Sequence, residues 1–91
     1  MDQELLKNVN GNLSQVVNLL YQENLQLAYR VLAVTLPSLE QLLMSIADED
    51  LQKELIEKLQ AALEAMEEED STLLADIITY ELLEQLQSLE A

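Results

Sequence analysis

The stretch "LLADIITYELLEQL", residues 73–86, sets Asp76, Tyr80 and Glu81 among aliphatic side chains. Two carboxylates and a phenol at helical spacing could move protons, hold a cation or anchor a basic group of a partner. The rest of the chain narrows that choice. There is no histidine and no cysteine, hence no imidazole base, no thiol nucleophile and no thiolate or imidazole metal ligand. Ser14, Ser38, Ser45, Ser71 and Ser88 have neither a His base nor the strained Gly-x-Ser-x-Gly turn that activates a serine. Gly11 is the only glycine, so no glycine-rich loop can cradle a phosphate. Helical proteins that bind two metal ions use inward Glu residues and Glu-x-x-His, which needs histidine. The acid runs "DED" at 48–50 and "EEED" at 67–70 lack the alternating ligands and the glycine of a calcium loop. With 18 acids in 91 residues, neighbouring carboxylates arise by chance, and a pair of them carries no specific catalytic signal. The expectation is a protein that is not an enzyme and uses no cofactor and no metal.

Charge excludes further classes. Eighteen acids against Lys7, Arg30, Lys53 and Lys58 leave a net charge of −14, which repels nucleic-acid phosphates and anionic lipid heads. Neither nucleic acid nor membrane is an expected partner. The amino terminus "MDQELLKNVN" carries acids where a secretion signal needs a basic segment before an apolar one. No uninterrupted apolar run reaches the length of a bilayer. A cytoplasmic location is the expectation. Apolar residues make up 49% of the sequence and 22 of them are leucine, too many for a disordered acidic tail. A chain of this length forms one domain with one core.

The elements that must position any site are helices. One glycine and one proline leave little punctuation for hairpins of strands, while Leu, Glu, Gln and Ala favour helix. At about 100° per residue, Leu5, Leu6, Val9, Leu13, Val16, Val17 and Leu20 fall on one stripe of a first helix over 2–22. Asn8, Asn10, Gly11 and Asn12 lie mostly on its other side. Asn24 serves as N-cap of a second helix over 24–47, whose stripe is Leu25, Ala28, Leu32, Leu36, Leu39, Leu43 and Ile46. Pro37 falls within that span and the stripe keeps its phase across it, which predicts one helix kinked at Pro37 with the proline facing outward. "DED" caps a third helix over 50–68, with Leu51, Leu55, Leu59, Ala62, Leu63 and Met66 inward and Glu54 paired to Lys58. "EEED" marks the next turn, with Asp70 or Ser71 as cap of a fourth helix over 71–89. Four such helices with short connections predict an all-α, antiparallel four-helix bundle made of two helical hairpins.

The fourth helix is apolar most of the way round. Leu74, Ile78, Leu82, Leu86 and Leu89 make one stripe and Leu73, Ile77 and Tyr80 a second beside it. The same wheel sets Glu81 in the gap between the stripes and Asp76 on the flank of the second, near Tyr80 and Leu83. A buried Glu81 would need a cation, and Arg30, the one arginine, sits on the outer side of the second helix. Such a pair would have to cross between chains, or not exist. Leu19, Leu27 and Val34 also lie off their own stripes and add to surplus apolar surface. The candidate interface is therefore Leu73, Asp76, Ile77, Tyr80 and Glu81 with Leu19, Leu27 and Val34. The bland alternatives are border residues with Tyr80 half-buried and its hydroxyl in water, and wide core stripes.

The segment "DSTLLADIITYELLEQL", through Asp70, Ala75, Asp76, Tyr80, Glu81 and Leu82, resembles small acidic all-helical proteins of Gram-positive bacteria whose function is uncharacterised. That resemblance implies a cytoplasmic bacterial helical protein and adds no activity. Joined to the surplus apolar surface, it favours a non-enzymatic protein–protein interaction module, an adaptor, small chaperone or homodimer, using the C-terminal helix. The alternative is an acidic decoy or regulator that covers a basic surface of another protein with its carboxylates.

Overall fold

The computed structural model describes residues Met1–Ala91, all of them in helices or the short links between them. Helix α1 spans Gln3–Tyr21, α2 Leu25–Met44 and α3 Glu49–Glu67. The fourth helix, α4, begins as α-helix over Ser71–Asp76, widens to π-helix over Ile77–Leu83 and closes as α-helix over Glu84–Ser88. There are no strands.

Three of the four starts carry an aspartate placed where backbone N–H groups lack partners. The Asp2 carboxylate accepts from Leu5 N at 3.1 Å, Asp48 from Asp50 N at 3.0 Å and Leu51 N at 3.1 Å, and Asp70 from Leu73 N at 3.0 Å. Asn24 stands at the N-cap position of α2 but makes no capping bond with its side chain. Two of the helix ends are built alike. After α1, Glu23 adopts φ 59° while Asn24 N donates to Leu19 O and Glu23 N to Leu20 O. After α3, Glu69 adopts φ 58° while Asp70 N donates to Ala65 O and Glu69 N to Met66 O. Both are Schellman turns with glutamate at the left-handed position usually given to glycine. The same reversal thus joins α1 to α2 and α3 to α4. The link between α2 and α3 differs: Ile46 is buried within it, and Gln52 Nε2 donates to Leu43 O at 2.9 Å, tying α3 to the end of α2.

Twenty-two buried apolar residues form one core, and each fully buried leucine among them contributes about 1.5–3 kcal/mol. α1 packs on α2 and α4, and α3 packs on α4 and less closely on α2. The molecule measures 35 × 22 × 20 Å, two helix diameters across in each short direction. The first turn of α1 meets the end of α4, where Gln3 Nε2 donates to Leu89 O at 3.3 Å and Ala91 N donates to Gln3 Oε1 at 2.9 Å. Asn10, expected on the outer side of α1, is buried instead, and its Nδ2 donates to Glu90 Oε2 at 2.9 Å. Pro37 lies inside α2, is exposed, and does not interrupt the helix. Its missing N–H removes the helical hydrogen bond to the carbonyl of Ala33, an exposed residue.

The π segment has a reason in the sequence. Leu74, Ile78, Leu82 and Leu86 recur every fourth residue and all are fully buried. In a regular α-helix a step of four overshoots one turn by about 40°, so Leu86 would lie about 120° away from Leu74. The wider i→i+5 turn of a π-helix rotates less per residue and cancels that drift. It keeps the row in one line against α1 and α3.

Candidate functional site

The π segment also decides where the residues singled out in the sequence lie. Since every fourth residue stays in register, Asp76 and Tyr80 share the outward side, and Tyr80 is 59% exposed. Leu73, one turn before Ile77, is 44% exposed, while Ile77 is half-buried and packs against the core. Leu73 and Tyr80 are thus the exposed apolar residues of α4, and exposed Asp76 and Glu84 stand one step of four before and after Tyr80. Glu81 is not enclosed between apolar stripes. Its carboxylate is half exposed and meets Lys58 Nζ of α3 at 3.5 Å. The partner that the sequence reading sought on another chain is in the same chain, and Lys58, expected to pair with Glu54, turns to Glu81. Two half-exposed groups at that distance add at most about 1 kcal/mol. Arg30 is exposed and takes no part in this pair.

The remaining candidates separate. Leu27 and Val34 are exposed on α2, Val34 at 74%. Leu19 is half-buried and packed against the core, so it is core periphery and not spare surface. α1 and α4 are direct neighbours and α2 and α4 are not, so Leu27 and Val34 do not extend the α4 row. Leu73 and Tyr80 are exposed on α4, and Leu27 and Val34 on α2. No three acids converge at a spacing that would hold a metal ion.

One feature escaped the sequence reading. Between α2 and α3 an open groove of about 370 Å³ is lined by Glu40, Leu43, Met44, Ile56, Leu59, Gln60 and Leu63. Leu43 and Leu59 are buried at its floor, Ile56 and Leu63 are half-buried at its sides, and Met44 stands 69% exposed at its lip. Met44 was the available signal, an apolar residue one turn after Glu40 at the end of α2 with nothing beyond it to cover it.

A family model matches residues 3–91, which takes in every helix and the residues that clasp their ends. The chain belongs to the domain of unknown function DUF8042. The resemblance seen locally at "LLADIITYEL" to proteins of uncharacterised function therefore extends over the whole DUF8042 fold. No curated protein and no solved structure matches it. No helix of this DUF8042 chain is long and apolar enough to cross a membrane.

Proposed function

We propose that this DUF8042 chain is a non-enzymatic protein–protein interaction module, and that the outward row Leu73, Ile77 and Tyr80 of α4 is its contact face. The supporting observation is exposure: the large side chains of Leu73 and Tyr80 stand 44% and 59% exposed on a helix whose other sides are buried against α1 and α3. An apolar row rimmed by Asp76 and Glu84 suits an apolar helix face with basic flanks. The framework for it is an antiparallel bundle of two helical hairpins, with α2 bending at Pro37, where Thr35 Oγ1 also donates back to Val31 O at 2.7 Å. The setting is the bacterial cytoplasm. Light scattering and sedimentation at micromolar concentration, alongside binding to the proteins encoded by neighbouring genes, test this reading. Association with a second copy or with one such protein, lost in Tyr80→Glu, is the expected result. A monomer that binds none of them overturns it.

A second reading rests on the charge of −14: an acidic regulator that occupies a basic protein surface through carboxylates alone. Binding that collapses as salt rises and is unaffected by Tyr80→Glu would favour it over the apolar row.

A further inference from the structure

From the groove between α2 and α3 we infer a second docking surface, independent of the α4 row, whose occupant is an amphipathic helix with an apolar stripe and lysine or arginine on its flanks. The shape argues for a helix. Both walls are helices whose backbone groups are bonded within themselves, so an extended chain would find no edge to pair with, whereas a helix brings its own backbone bonds satisfied. A third helix laid along the seam of two others also follows the ordinary ridge-and-groove packing of helices. Ile56 to Leu63 line the seam over two turns, roughly 10 Å along the axis, which receives three or so apolar side chains spaced a turn apart. The exposed, unbranched Met44 at the lip can fit side chains of different shape.

Charge selects the occupant. Glu40 lines the groove, and exposed Glu64 and Glu67 continue one turn beyond Gln60 and Leu63 on the same side of α3. Lys58 faces the other way, toward Glu81, which leaves Lys53 as the lone cation of α3 near this seam. A second copy of the chain, itself at −14, would bring acids to acids. A basic amphipathic helix brings complementary charge to the rim and apolar surface to the floor.

The test uses the full chain and a synthetic Leu/Lys peptide about 18 residues long, enough to be helical when bound, with fluorescence anisotropy as readout. The expected result is saturable one-to-one binding that persists at moderate salt. Met44→Glu should weaken it by about tenfold or more, because an anchor at the lip is lost. That direction is diagnostic, since an added negative charge alone would tighten a basic peptide. Gln15→Glu on the exposed side of α1 supplies the same charge elsewhere and should not weaken binding. Circular dichroism of each variant confirms the fold. Equal binding of a peptide of the same composition with leucine and lysine scrambled, or of a Leu/Glu helix, overturns the inference. So does binding that Tyr80→Glu abolishes and Met44→Glu does not, which would place the peptide on α4, and so does a dimer that Met44→Glu dissociates. Failure here leaves the α4 row untouched, because that face is read out by a different substitution.

Discussion

In α1 the buried positions Leu6, Val9, Leu13, Val16 and Leu20 follow one another in steps of three and four, and in α4 Leu74, Ile78, Leu82 and Leu86 follow in steps of four throughout. Each of the two packs on two neighbours, one of which is the other. Steps of three and four average to the pitch of an α-helix, so α1 stays regular from Gln3 to Tyr21. Steps of four do not, and α4 relaxes over Ile77–Leu83 into π-helix. Burial of a leucine row outweighs the poorer backbone geometry of the wide turn. The lesson concerns the outward side as much as the core. Once the helix widens, exposed Asp76, Tyr80 and Glu84 are aligned by the same step of four that aligns the buried row.

The comparison can be broken most strongly by removing one residue from each helix. Deleting exposed Gln15 from α1 rotates Val16, Val17 and Leu20 by about 100° out of the core, and the loss of cooperative thermal unfolding is the expected outcome. Deleting exposed Tyr80 from α4 turns the steps four, four, four into four, three, four, the α-helical pattern, so the shortened chain should keep its cooperative melt within about 2 kcal/mol of the parent. If the Tyr80 deletion unfolds as completely as the Gln15 deletion, the π segment is required for more than register.

Smaller effects sharpen the picture. Glu23 and Glu69 hold left-handed backbone at the two equivalent reversals, so Glu23→Gly and Glu69→Gly should each stabilise by about 1 kcal/mol in urea titrations, and by similar amounts. A Cβ added at Gly11 meets nothing within 4 Å. Gly11→Ala should therefore raise stability by about 0.5–1 kcal/mol through helix propensity alone, read from the same titrations. The smallest change is expected at the Lys58–Glu81 pair, where Lys58→Gln should cost at most about 1 kcal/mol and less at high salt. Added salt should raise the melting temperature of the parent chain, because screening relieves self-repulsion at −14. A fall would mean that the acids sit in favourable pairs.

Much of the helix plan was legible in the residues themselves. The four predicted spans agree with the observed helices to within a residue or two, except that α2 ends at Met44 and not at 47. There Ile46 is drawn into the core as part of the link. The third and fourth caps were readable as the run "DED" and as Asp70 or Ser71, because a carboxylate or hydroxyl just before a helical run can accept from its free N–H groups. Asp48 and Asp70 are the ones that do. Asn10 was misplaced, and the surroundings of Glu81 and Leu19 stayed open, for one shared reason: a wheel assigns a face to each residue but carries no information on what the neighbouring helix puts opposite it. Lys58 opposite Glu81, core side chains beside Leu19 and Glu90 beside Asn10 are contacts between residues far apart in the chain. The groove was missed on the same ground, since Glu40, Met44 and Ile56 belong to separate stripes until α2 and α3 lie side by side.

Composition and spacing alone determined that the chain is helical, acidic and built with an aliphatic core, because helix propensity, capping and amphipathic period are local properties of the residues. The tertiary structure decided which apolar positions remain uncovered, where the lone cation of each seam goes, and that α4 widens at Ile77–Leu83. Those outcomes depend on the register between helices, and register is fixed only when the rows of several helices must share one core.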